Sequence, residues 1–241
     1  MAESQSPSPS LQDSIANKLA VVNQRIEAAC KQYGRDKSGV RLIAVSKTKA
    51  VDAVEAAIDA GQKDFGENQL QDALTKISNI IAKDVQWHFI GPLQSNKTKH
   101  IPGNFQWWHT LHRLDIAQRV SNKAIELETS VDALIQVNVI NDPAKSGVTK
   151  EELPQLIEQI IIAELPGIRL RGLMTIGPRG GTESELRGCF AELRSLLEKS
   201  RDAFKLDGFD QLSMGMTNDM EQAIAEGSTM VRIGSAIFGS R

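Results

Sequence analysis

The stretch Arg41–Ala50, "RLIAVSKTKA", decides how the rest of the chain reads. Its opening run is short and rich in apolar side chains, the composition of a strand buried on both faces, and it ends by handing Lys47 to the start of a helical pattern. A doubly wound nucleotide-binding sheet, the main alternative, would follow such a first strand with a glycine-rich phosphate loop. "AVSKTK" stands there instead, so the open-sheet reading loses its chief support.

Outward from this stretch the pattern repeats. Further β-rich runs stand at "KDFGE", "VQWHFIG", "FQWWHTL", "ALIQVNVI", "LRGLMTIG", "FDQLSMG" and "MVRIGSA", each followed by a helical pattern. Leu70, Leu74, Ile77 and Ile81 mark one such helix, and Leu186, Phe190, Leu193 and Leu197 another. Gly61 and Gly227 follow the last apolar positions of two more, where a residue without Cβ enters the left-handed stop conformation freely. "LQSNKTKHI" is the weakest link and reads as a short helix at most. Upstream, Leu11, Ile15, Leu19, Val22 and Ile26 form an additional amphipathic helix. Strand signals alternating with helices over roughly 200 residues predict a single (β/α)8 TIM barrel. It spans 11–241 with that N-terminal helix, and the Ser/Pro-rich tail 1–10 is expected to be disordered.

Composition narrows the function. The 241 residues carry 28 basic and 30 acidic side chains, a net charge of -2, which gives no electrostatic case for nucleic acid or an acidic membrane. No apolar run is long enough to span a bilayer, and "MAESQSPSPS" has neither the apolar core nor the arginines of a targeting segment, so a cytoplasmic setting is expected. Cys30 and Cys189 both fall in amphipathic helical patterns, which argues for reduced thiols and against a disulfide framework or metal cluster. Small-molecule partners are the expectation.

In parallel α/β folds, functional groups gather at the C-terminal ends of the strands. Those positions hold Ser46 and Lys47, Glu67 and Asn68, Gly91 to Lys97, His109, Asn138, Met174, then "SMGMTND" and "GSAIFG". The last two segments suit a phosphate: hydroxyls at Ser213, Thr217 and Ser235, close backbone approach at Gly234, and amides at a helix opening. Either segment alone reads slightly better as an ordinary cap or turn; together, on adjacent strands, they reverse that preference and favour the anion site. Lys47 beside such a mouth is either a phosphate contact or, if partly desolvated, a free amine able to attack an aldehyde. Arg232 shares a strand face with Gly234 and reads as an inward group or a structural ion pair. His88 reads as a packed histidine, with a catalytic base as the alternative.

The motifs "AVSKTK", "FGENQLQ", "WHFIGPLQSNK", "RGLMTIGP" and "LSMGMTNDMEQAIAEGSTMVRIGSAIFG" together resemble the pyridoxal-phosphate homeostasis proteins, single-domain relatives of the alanine racemase N-terminal barrel, from about Leu11 onward. The resemblance implies pyridoxal 5′-phosphate (PLP) held as an internal aldimine on Lys47. It implies a phosphate held by Ser213, Met216, Thr217, Gly234 and Ser235, a pyridine nitrogen facing Arg232, and a ring pocket lined by Asn68 and Met174. It also implies a carrier, monomeric or weakly dimeric, that supplies PLP to apo-enzymes without efficient catalysis. A guanidinium can only donate, so it leaves the pyridine nitrogen unprotonated and weakens the ring as an electron sink. Related racemases use a tyrosine and a further C-terminal domain; here the one tyrosine, Tyr33, ends the first helix and the chain stops at "FGSR". A PLP-dependent amino-acid racemase is the alternative reading, and a cofactor-free class I aldolase using Lys47 a third.

Overall fold

Strands β1 (Arg41–Val45), β2 (Asp64–Glu67), β3 (Gln86–Phe89), β4 (Trp107–Leu111), β5 (Val131–Gln136), β6 (Ile168–Met174), β7 (Gln211–Ser213) and β8 (Met230–Ile233) pair in parallel in chain order. β1 then pairs with β8, which closes the eight strands into a barrel in which each has a partner on both sides. The computed structural model describes residues 10–80 and 84–239, so the expected disordered tail lies almost wholly outside the described residues.

Period-two alternation along each strand sorts side chains into two cores. One face packs outward on the helices: Leu42, Ala44, Phe65, Trp87, Phe89, Val131 and Val231 belong to the large strand–helix core. The other face fills the bore, where Ile43, Trp107, Leu134, Met174 and Met230 form a second buried cluster with Ile176 against it. The barrel is therefore packed through its centre.

Between the strands run α2 (Val51–Asp59), α3 (Leu70–Asn79), α4 (Leu114–Glu126), α5 (Leu153–Ile162), α6 (Glu183–Phe204) and the short α7 (Met220–Ala225), with α8 (Ser235–Phe238) after β8. "LQSNKTKHI" forms a 3-10 helix at Ser95–His100, in keeping with its weak pattern. The added helix α1 (Leu11–Gln32) buries Ile15, Leu19, Val22, Ile26, Ala29 and Cys30, and its Ser10 cap accepts the Asp13 amide at 3.1 Å. α1 lies against α2, α7 and α8. From it Arg25 donates to the Thr217 carbonyl at 3.0 Å and to Glu221 Oε1, tying the helix to the loop after β7.

One helix turns a different face inward than its apolar spacing suggests. In α3 the buried residues are Ala73 and Lys76, while Leu70, Leu74 and Ile77 are only partly covered and Ile81 lies outside the described residues. A lysine belongs on that face because it meets the buried Glu67 carboxylate there and the partly exposed Asp72.

Candidate functional site

Lys47 stands just past β1 on a tight turn, the Lys49 amide bonding back to the Ser46 carbonyl at 3.0 Å. Thr48 takes the left-handed conformation at φ 64°, which a β-branched residue adopts only under strain from its surroundings. Those surroundings are visible. The Thr48 amide donates to Asp72 Oδ2 at 3.0 Å, and Lys76 Nζ, rising from α3, donates to the Ser46 carbonyl at 2.7 Å. Lys76 also meets Glu67 Oε1 and Asp72 Oδ2, each at 2.8 Å, and Ser46 Oγ donates to the same Glu67 oxygen. Burial raises the Glu67 carboxyl above its ordinary range, against the pull of Lys76 and Ser46. Buried Lys76 is thus a post under the turn that carries Lys47. Sequence reasoning named Glu67 as a strand end but missed Lys76; its signal was the Asp72–Lys76 spacing, which puts both on one helix face.

Lys47 itself is exposed, so the expected partial desolvation is absent. A side chain one step beyond the strand, on a turn, no longer faces the packed bore. The β1–β2 register pairs Val45 with Gly66, so Lys47 and Asn68 follow the C-terminal ends of two adjacent strands. Asn68 Oδ1 is buried and has no hydrogen-bond partner among the described residues, a costly state for a carbonyl oxygen that a ligand donor would relieve. The Asn68 backbone leaves no room for a side chain at position 91: a Cβ on Gly91 would fall 2.1 Å from the Asn68 carbonyl oxygen.

At the ends of β7 and β8, the latter the neighbour of β1, Thr217 Oγ1 and Ser235 Oγ approach to 3.3 Å, which brings the two hydroxyl segments together. Gly215 bends the first segment at φ 94°, and Asp219 Oδ1 accepts the Met216 amide at 2.5 Å, folding the loop on itself. Met216 is half-exposed at this rim. Gly234 lies where β8 meets β1, an added Cβ standing 3.1 Å from the Val45 carbonyl oxygen.

Ser213 departs from this group. Its fully buried hydroxyl accepts from Arg232 Nη1 at 2.6 Å and contacts His109 Nδ1 at 2.9 Å, so it serves the bore instead of joining the Thr217–Ser235 pair expected to hold a phosphate. Strand alternation accounts for this placement: Ser213 pairs with Met174 and Met230, both bore residues. Arg232 pairs with Ile43 on the same inner face. Its partners are Ser213 and the Thr175 carbonyl at 2.9 Å, not a carboxylate, so the ion-pair reading does not hold. Burial pushes its pKa down to about 10, opposed by Asp219, which still leaves it a cation at neutral pH. Met174 is buried in the bore just below the mouth. Tyr33 lies at the end of α1 with the Arg187 guanidinium 5.7 Å over its ring.

His88 and His109 are both fully buried in the bore, and desolvation lowers both pKa values, His109 well below the ordinary 6.5. A folded-state value below the unfolded one means that the unfolded chain binds protons first. Their contribution to stability is therefore complete above pH 6.5 and is lost as pH falls from there through the depressed values. Glu67 and Asp219, raised by burial, act in the opposite sense. Unfolding measured from about pH 8 to about pH 5 should show the parent losing stability below about pH 6.5 by up to about 1.4 kcal/mol per pH unit for each histidine, with a lower melting midpoint in consequence and a shallower fall in His88→Gln.

A closed α/β barrel with a lysine after β1, an inward arginine on β8 and a hydroxyl rim between β7 and β8 defines the class, and residues 19–241 match the family described as alanine racemase, N-terminal domain. Within that class the chain belongs to the pyridoxal phosphate homeostasis protein family. It is 46% identical over 230 residues to the protein of that name from Pseudomonas aeruginosa, covering 94% of this chain and 96% of the relative. With the Escherichia coli K12 protein of that name it shares 44% over 231 residues, 94% and 97% of the two chains. PipY of Synechococcus elongatus PCC7942, in a structure with PLP bound, superposes with a TM-score of 0.83 at 33% identity over 93% of this chain and 100% of PipY. Among the described residues no helix is long and apolar enough to cross a membrane, and no cluster of three or more His, Cys, Asp or Glu could hold a metal.

Proposed function

We propose that this chain binds pyridoxal 5′-phosphate at the C-terminal mouth of the barrel, holds it on Lys47 and supplies it to apo-enzymes in the cytoplasm. The observation that carries the reading is the buried Asn68 oxygen, without a hydrogen-bond partner among the described residues, at the end of the barrel where Lys47 follows β1 and the Thr217–Ser235 hydroxyl pair follows β7 and β8. The cofactor bound by PipY supports it.

Each residue then has a task. Thr217 and Ser235, with the Met216 and Gly234 backbone, hold the phosphate; Arg232 donates to the pyridine nitrogen, and Ser213 steadies Arg232. Asn68 and Met174 bound the ring. The neutral amine of Lys47 attacks the aldehyde carbon and water leaves as the C=N bond forms; water adds back across that bond to release the aldehyde. PLP supplies only that aldehyde, and an arginine donor at the ring nitrogen disfavours carbanion chemistry.

Borohydride reduction of the PLP-loaded protein, followed by peptide mass mapping, tests the reading. The expected result is loss of the visible band with the cofactor mass fixed on the peptide containing Lys47. Trapping on another lysine, or none after PLP is added, overturns it.

A further inference from the structure

The bore holds a continuous polar line of which the proposed function uses only the upper end, Arg232 and Ser213. Asp64, at the N-terminal end of β2, contacts His88 Nε2 at 2.9 Å; His88 Nδ1 contacts His109 Nε2 at 3.0 Å; His109 Nδ1 contacts Ser213 Oγ at 2.9 Å, and Ser213 accepts from Arg232. The line thus runs from a carboxylate whose side chain is 18% exposed at the lower end to the buried arginine under the mouth.

Donor arithmetic gives it one direction. A neutral imidazole has one donor and one acceptor nitrogen. With Asp64 a carboxylate, His88 Nε2 must donate, so His88 Nδ1 accepts; His109 Nε2 then donates and His109 Nδ1 accepts. Ser213 spends its hydroxyl proton on His109, which leaves its oxygen free to accept from Arg232. Both imidazoles are kept neutral by burial. The other charged groups near the line are Asp219 at its upper end, which acts on Arg232, and at its lower end Arg41, 3.6 Å from Asp64 and 5.2 Å over the Trp107 ring that stacks on His88, and Asp132 with Arg169 and Arg171.

We propose that Arg232, Ser213, His109, His88 and Asp64 form a one-way hydrogen-bond chain through the barrel, in which His88 and His109 are positioning residues that keep Ser213 an acceptor and so aim Arg232 at the mouth. The chain is a property of the protein alone. Its role toward a pyridine nitrogen rests on the PLP reading; its existence does not.

Two NMR readouts on the protein without added cofactor test it. Long-range proton–nitrogen correlation of the four histidines, assigned with His88→Gln and His109→Gln, should show His88 and His109 each with a protonated Nε2 and a bare Nδ1 at neutral pH. Asp64→Asn removes the anion that sets the direction, so both rings should then populate both tautomers. In His109→Phe the Arg232 Nη–H signals, resolved and slow to exchange in the parent, should collapse. A ring in the Nδ1–H or charged form in the parent, unchanged tautomers in Asp64→Asn, or persistent Arg232 signals in a folded His109→Phe overturns the proposal. If His109→Phe does not fold, the Asp64→Asn spectrum decides. Borohydride trapping is scored separately, so failure of the PLP reading is distinguishable from failure of the chain.

Discussion

Lys76→Met should lose about 3–5 kcal/mol of stability, the cost of breaking a buried ion pair from one side. Methionine matches the length of the lysine stem without its charge, so packing is largely kept while the donors vanish. In the parent, those donors meet three acceptors: the Ser46 carbonyl, Glu67 Oε1 and Asp72 Oδ2. Asp72 is partly exposed and can turn to water, but the Glu67 side chain has no exposure and its second oxygen has no partner even in the parent. The expected result in urea is a lower midpoint with an unchanged slope. Adding Glu67→Gln should recover more than half of the loss, since a neutral buried pair costs far less than an orphaned charge. If the single variant melts with the parent, the post is not holding the turn. The turn carries Lys47, so capture of PLP should weaken in the single variant and return in part with the double.

Lys47→Ala should abolish covalent capture. No cofactor mass should remain on the protein after borohydride, while equilibrium dialysis still detects PLP held by the Thr217–Ser235 rim, weakened by roughly tenfold or more, about 1.4 kcal/mol. The two readouts separate anchor from cradle. Parent-like colour and trapping in this variant would remove Lys47 from the site altogether. Because Lys47 is exposed on a turn, its loss should leave the melting temperature within a few degrees of the parent, so a null result cannot be blamed on unfolding.

How far the residues alone reached is clearest at particular elements. "RLIAVSKTKA" set the class of fold, because a buried first strand without a glycine-rich loop leaves the barrel as the arrangement that gives each later strand run a partner. Thr217 and Ser235 were legible as a pair because strand order in a closed barrel makes the seventh and eighth loops neighbours, and they meet at 3.3 Å. Local pattern was silent where a polar side chain is buried by a partner distant in the chain. Nothing near Ser213 announces that its hydroxyl turns to His109, 104 positions away, and the apolar spacing of α3 hides Lys76, whose partner Glu67 belongs to β2. The sequence by itself determined the barrel and the additional helix, since periodicity and glycine placement are local properties. Only the tertiary structure decided which polar groups face the bore, which brace the Lys47 turn and which stay open to a ligand, because burial turns each unpaired donor or acceptor into a cost that only contacts from other strands and helices can remove.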